Sequence, residues 1–116
     1  MTDALRIGIL GAAKIASSAV IEPSRDLEQA RVTAISARSG DTARAFAQRH
    51  DIPHAFEGYE AVINSPDVDI VYVALPITYH AQWTVAAAQA GKHVLVEKSF
   101  AMNADEAQAM VNAGRD

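Results

Sequence analysis

The chain has 116 residues, 50% of them hydrophobic and 21% charged, with a net charge of −4 and no cysteine. That is the length of one domain, able to bury roughly two thirds of the surface its unfolded form exposes. The acidic balance disfavours nucleic-acid or anionic-membrane binding through bulk charge, and the lack of cysteine excludes disulfides, zinc–thiolate sites and cysteine nucleophiles. The N-terminal M-T-D-A-L-R leads straight into an apolar run without a signal-like segment, so the expected location is the cytoplasm. No apolar stretch approaches the roughly 20 residues of a membrane span.

Leu5 to Leu10 is a near-continuous apolar run, the pattern of a buried parallel strand. Gly11 and small residues turn the chain into a helix over Ala12 to Ile21, which Pro23 should stop. A polar loop, Arg25 to Ala30, precedes a β-branched strand over Arg31 to Ala37. Arg38-Ser39-Gly40 is a turn, and Asp41 is the expected N-cap of a helix running through Arg49. Ile52 to Phe56 reads as a third strand, with Pro53 pointing to a sheet edge. A short helix over Glu57 to Asn64 stops before Ser65-Pro66. Asp69 to Leu75, D-I-V-Y-V-A-L, is the clearest buried strand, ended by Pro76. An alanine-rich helix follows over Tyr79 to Ala90, with Gly91 as its cap. His93 to Val96 is the fifth strand, and Asn103 to Ala113 the last helix, with Asn103 and Glu106 at capping-box spacing and Gly114 at its end.

Strands alternating with helices through short turns define an α/β fold, a doubly wound parallel sheet. Right-handed crossovers then favour the strand order 3-2-1-4-5. The chain stops just after a helix, where such a sheet usually gains a sixth strand. Residues 1–116 are therefore expected to be one domain, a fragment of a longer protein. A missing strand also predicts exposed apolar surface at one edge and a tendency to self-associate.

Four places can carry chemistry. The first turn places Gly11, Ala13 and Ala16 on the G-x-G-x-x-G fingerprint, keeping only its first glycine. A helix N-terminus reached through small residues can cradle a diphosphate, but a tight turn without a ligand accounts for this stretch equally well. The second place is the end of strand two. An NAD-preferring site puts a carboxylate there, whereas this chain has Ala37, Arg38 and Ser39. Arginine matches a phosphate with a bidentate fork, which favours NADP(H) over NAD(H). The alternative is a solvated surface charge. The third place is the exit of strand four, Leu75-Pro76, followed by His80 in the next helix, where a structural hydrogen bond is the competing role. The last is Glu97-Lys98 after the fifth strand. An ammonium there could hydrogen-bond a substrate oxygen during hydride transfer, while an exposed ion pair is the plainer reading. Lys14 either contacts a phosphate or faces water. Tyr79 and Trp83, at helical spacing, read as core or interface packing. His50, His54 and His93 show no metal-ligand spacing, and no metal is expected.

These pieces resemble the glucose–fructose oxidoreductase / inositol dehydrogenase / MocA family. The matching stretches are G-I-L-G-A-A-K-I-A, A-R-S, S-P-D-V-D-I-V-Y-V-A-L-P and the run H-A-Q-W-T-V-A-A-A-Q-A-G-K-H-V-L-V-E-K from His80 to Lys98. V-I-E-P at Val20 to Pro23 looks most like the branch with glucose–fructose oxidoreductase and the dihydrodiol and xylose dehydrogenases. The resemblance implies a Rossmann domain for NAD(P), with the diphosphate at Gly11, Ala12, Ala13, Lys14 and Ile15. It implies 2′-phosphate contacts at Arg38 and Ser39, and nicotinamide-ribose contacts around Leu75, Pro76, His80 and Glu97. Lys98 matches the lysine of the family's E-K-P, which is associated with catalysis. Ser99 replaces that proline, and Ile77 stands where many members carry asparagine. The family's second α/β domain, with its oligomerisation sheet, most of the substrate pocket and an acid/base histidine, has no counterpart in these residues. The resemblance thus implies the cofactor domain of an NADP(H)-dependent oxidoreductase acting on a sugar, polyol or related compound. The parent would be a homo-oligomer, and this chain alone would bind cofactor without turnover. The alternative is a standalone dinucleotide-binding regulatory module.

Overall fold

A computed structural model of the chain describes residues 5–13, 20–25, 30–96 and 104–115. Its centre is a five-stranded parallel sheet in the order β3-β2-β1-β4-β5, the order expected from the sequence. The strands are β1 Leu5–Leu10, β2 Ala30–Ala37, β3 His54–Glu57, β4 Ile70–Val73 and β5 His93–Val96. The helices are α1 Glu22–Arg25, α2 Gly40–His50, α3 Glu60–Ile63, α4 His80–Gln89 and α5 Ala104–Arg115, with a 3-10 turn over Ile77–Tyr79 leading into α4.

Alternation along the strands divides the core into two layers. Ile7, Ile9, Ile35 and Tyr72 face one side, where Val20, Ile21 and the α2 residues Phe46 and Ala47 cover them. Leu10, Ala34, Val71 and Val73 face the other, against Val62 and Ile63 of α3 and Ala87 of α4. Gly8 lies beside a register shift in the β1–β2 pairing. A Cβ added there would sit 2.5 Å from the Val62 side chain and 2.9 Å from that of Val68. Its lack of a side chain lets α3 and the following loop press onto β1.

Several boundaries differ from the sequence reading, each for a local reason. Pro23 does not stop the helix: a π-helical turn at Val20 and Ile21 runs directly into α1, which continues past Pro23 to Arg25. Ser39, not Asp41, is the N-cap of α2: its backbone is extended and its hydroxyl accepts from the Thr42 N–H at 3.4 Å. Asp41 lies in the first turn, where a carboxylate also suits the helix dipole. α2 ends at Asp51, in the left-handed region at φ 55°. β3 starts after Pro53 rather than at Ile52, and extends to Glu57, so α3 is only one turn long. β4 is shorter than the apolar run that marks it, because Ala74 and Leu75 turn out of the sheet toward Pro76. α4 closes as expected at Gly91, with φ 83°. The Lys92 N–H reaches the Ala87 carbonyl at 3.1 Å and the Gly91 N–H that of Ala88 at 3.0 Å, a Schellman closure. Most of the helix expected over Ala12 to Ile21, and the capping box of Asn103 and Glu106, lie outside the described residues and side chains.

β5 is an edge strand, and Leu95 on it is 50% exposed, so the exposed apolar edge expected from the sequence is present. α5 packs against α4. Among the described residues no helix is long and apolar enough to cross a membrane, and no cluster of potential metal ligands occurs.

Candidate functional site

Parallel pairing brings the carboxyl ends of all five strands to one edge of the sheet. In open α/β sheets the ligand crevice lies there, where the strand order reverses. The reversal in this chain falls at β1, flanked by β2 and β4.

Gly11 follows β1 at this point with φ +103°. Its N–H donates to the Ser36 carbonyl of β2 at 2.9 Å. On the other side, an added Cβ would lie 2.8 Å from the Ala74 carbonyl oxygen and 2.9 Å from the Leu75 side chain. Both the positive φ and the contact with backbone demand glycine. The Ala12 and Ala13 positions are half-buried against the first core layer, and their small side chains keep the turn low. Lys14 and Ile15 lie outside the described residues.

Ala37 ends β2 buried, and its carbonyl accepts from the Gly58 N–H at 2.8 Å, tying the β2 and β3 exits together. Arg38 and Ser39 follow and are exposed. Arg38 lies on the wall of a cavity of ≈ 340 Å³ that it shares with Leu75, Pro76, Tyr59, Tyr79, Gln82 and Trp83. The Tyr59 and Trp83 rings meet edge to face, with centroids 5.1 Å apart, so two elements are locked at the cavity floor. Burial pushes the Tyr59 phenol above its ordinary pKa; the Arg38 positive charge pulls it back and Tyr79 adds to the rise. These three side chains thus act on one space. Among the described residues Arg38 forms no salt bridge, which leaves its guanidinium available to an anion.

His80 is 2% exposed and does not open into the cavity. Its Nε2 lies 2.7 Å from the Leu75 carbonyl oxygen, which only accepts, so Nε2 carries the proton. The structural hydrogen bond weighed as an alternative at the sequence level is present. Nδ1 and, one turn later, the Thr84 hydroxyl are buried without a hydrogen-bond partner among the described residues. Glu97 and Lys98 lie outside the described residues. They follow Val96, which is in register with Val73 of β4, so β5 ends at the same sheet edge as the other exits.

The sequence reading thus found Gly11, Arg38, Leu75 and Pro76, which the structure brings together. It missed Tyr59 and Gln82, and it read Tyr79 and Trp83 as packing. A signal existed: Tyr59 stands just past the end of β3, and Tyr79 and Trp83 just past the exit of β4. The carboxyl-end rule applied to aromatic as well as charged residues places all of them at the crevice. As a test of fit, the glycine turn that admits no Cβ, the aromatic walls and the rim guanidinium suit the diphosphate, base and phosphate of an adenine dinucleotide.

Residues 5–116 match the model of the Gfo/Idh/MocA family, an oxidoreductase family with an NAD-binding Rossmann fold. The chain is 39% identical over 113 residues to the dTDP-3,4-didehydro-2,6-dideoxy-alpha-D-glucose 3-reductase of Streptomyces violaceoruber, covering 97% of this chain and 33% of that protein. It is also 39% identical over 113 residues to the trans-1,2-dihydrobenzene-1,2-diol dehydrogenase of Danio rerio, covering 97% and 34%. Among solved structures, KijD10, a 3-ketoreductase from Actinomadura kijaniata in complex with NADP, superposes with a TM-score of 0.90 at 37% identity, covering 97% of this chain and 36% of that one. The chain spans about a third of the length of these relatives. By fold, glycine turn and sequence, the chain belongs to the Gfo/Idh/MocA oxidoreductase family, whose NAD-binding Rossmann domain residues 5–116 form.

Proposed function

We propose that this chain is the NADP(H)-binding domain of an oxidoreductase that moves a hydride between the nicotinamide and a sugar, polyol or related hydroxy or carbonyl compound. The observation that carries the NADP preference is Arg38 on the cavity wall directly after Ala37, where an NAD-preferring site would end β2 in a carboxylate. A guanidinium binds a phosphate in a bidentate fork and gains nothing comparable from a hydroxyl. The NADP complex of KijD10 supports the same choice.

In this reading the diphosphate lies over Gly11, Ala12, Ala13, Lys14 and Ile15, with Gly11 giving it room, since its own N–H is held by the Ser36 carbonyl. The adenine enters the cavity against Tyr59, Tyr79 and Trp83, and Arg38 and Ser39 meet the 2′-phosphate. Leu75 and Pro76 continue the wall toward the nicotinamide ribose. His80 contributes through the Leu75 carbonyl that it holds. Glu97 completes the ribose contacts, and Lys98 hydrogen-bonds the substrate oxygen whose charge changes as hydride moves. The bound nicotinamide supplies the hydride chemistry. The sugar-like substrate class is supported by the name of the Streptomyces reductase, which acts on a dTDP-linked deoxyglucose. The substrate wall, a proton partner and the homo-oligomer interface belong to the remainder of a longer, two-domain protein. The chain alone binds cofactor without turnover.

Trp83, the only tryptophan, lies on the cavity wall and reports occupancy directly. Titration of its fluorescence with NADPH and with NADH should show saturable binding of both, tighter for NADPH. Tighter NADH binding overturns the Arg38 role, and no response to either cofactor overturns the site.

A further inference from the structure

We propose that Glu57 limits the preference of this site for NADP over NAD, by holding a negative charge against the place of the 2′-phosphate. The inference rests on the NADP(H) reading above and names a residue that sets its selectivity. Glu57 ends β3 and is in register with Ala37, the last residue of β2. Its carboxylate Oε1 accepts from the Gly40 N–H, the first of α2, at 3.2 Å. Gly40 follows Arg38 and Ser39, the residues assigned to the 2′-phosphate. The carboxylate therefore already occupies part of the positive helix terminus that a phosphate ester would use.

The other charges of this corner do not cancel it. Asp41 is engaged by Arg44 of the same helix. Arg44 also reaches Gly40, its Nη1 lying 3.2 Å from where a Cβ would stand. Glu57 Oε1 lies 3.6 Å from that same point, so Arg44 bears on it as well as on Asp41, and Glu60 adds a second carboxylate, its Oε2 3.9 Å from where a Cβ on Gly58 would stand. At the turn itself stand Arg38 and Glu57, with opposite signs. A 2′-phosphate, carrying about −1.5 to −2 charges, is attracted by the first and repelled by the second. A bare 2′-hydroxyl is not repelled, and a carboxylate can accept its proton, which Ala37 cannot do. Glu57 thus weakens NADP binding and leaves NAD binding unopposed. Repulsion between solvated charges a few ångströms apart corresponds to roughly three- to tenfold in affinity at low salt, and less as salt screens it.

The test is Glu57→Gln, which removes the charge and keeps an oxygen for the Gly40 N–H. NADPH and NADH are titrated against wild type and variant at low and at high salt, following Trp83. NADPH should tighten about three- to tenfold at low salt, NADH should stay within about twofold, and the NADPH gain should shrink at high salt. A structural effect of the substitution would move both cofactors and ignore salt. A wild-type NADPH preference that Glu57→Gln leaves unchanged overturns the inference alone. Absence of a wild-type preference that the variant does not restore overturns it together with the Arg38 role. Absence of a wild-type preference that the variant does restore upholds it. Glu57→Ala, with charge and cap both gone, should show the same NADPH gain at lower thermal stability.

Discussion

His80 shows why a residue can belong to a site without touching its ligand. The ring is buried, one nitrogen holds the Leu75 carbonyl at 2.7 Å, and the other has no partner among the described residues. An apolar side chain would fill this space but strand the Leu75 carbonyl, so the hydrogen bond, and not packing, accounts for a histidine here. His80→Leu should cost roughly 1–3 kcal/mol, because it leaves the Leu75 carbonyl without its donor. His80→Gln, which keeps a donor at a similar reach, should recover part of that loss in chemical denaturation. Equal losses in the two variants would contradict the assigned hydrogen bond. At Gly11 the constraint is on the backbone: Gly11→Ala should destabilise the chain and abolish cofactor binding, since the new methyl meets the Ala74 carbonyl at 2.8 Å and φ is positive. Unchanged NADPH binding in Gly11→Ala would rule out close approach of the diphosphate at this turn. Gly11 and Arg38 were legible in the sequence, because a strand-ending glycine and the residue after strand two have fixed places in a doubly wound sheet. Tyr59 was legible only by carrying the carboxyl-end rule over from charged to aromatic residues; its partner Trp83 on α4 is shown by the fold alone.

Among the elements, the loop from Ser65 to Asp69 explains a sequence signature that takes no part in binding. Three strands grip it at the end of the sheet away from the crevice. Arg6 of β1 donates to both Asp69 carboxylate oxygens at 3.1 Å, and its backbone N–H donates to one of them at 2.8 Å. Thr33 of β2 donates to the Asp67 carbonyl at 2.9 Å. Lys92, just before β5, donates to the Ser65 and Val68 carbonyls at 2.7 and 2.6 Å. The S-P-D-V-D and G-K-H-V segments are therefore two halves of one clamp. Hydrogen bonds from the Arg6 side chain first, and then from its backbone, hold the Asp69 carboxyl below its ordinary pKa. A value lowered by folding adds stability that is complete above the unfolded value of about 3.9 and is lost progressively as pH falls from there through the lowered folded value. The contribution is about 1 kcal/mol at most, since 33% of the Asp69 side chain remains exposed. Asp69→Asn should lower the thermal midpoint at pH 7, by a margin that narrows as pH falls below about 3.9. A margin that does not narrow would contradict the linkage. Element types and their order were legible from periodicity and turn residues. The start of α3 and the end of β4 were not, because Gly58 is tied to the Ala37 carbonyl and Ala74 to that of Leu10, contacts with other strands rather than local pattern.

On the scale of the molecule, the sheet gathers Gly11, Arg38 and the aromatic cavity at one edge, which the proposed function takes as the cofactor half of a reaction site, and β5 leaves an edge with Leu95 half exposed. The chain spans about a third of its relatives, and the reading above assigns substrate and proton transfer to the remainder. NADPH oxidation by this chain alone, assayed against a panel of keto-sugars, is expected to stay at the rate of the buffer control. Enzyme-like turnover would show that the second domain is dispensable. The most direct test of the central claim compares the ratio of NADPH to NADH affinity in wild type and in Arg38→Ala, read by Trp83 fluorescence. Loss of a charge-assisted phosphate contact should weaken NADPH roughly tenfold or more and leave NADH nearly unchanged, bringing the ratio toward one. Equal weakening of both cofactors, or a ratio that does not move, would contradict the assignment of Arg38 to the 2′-phosphate.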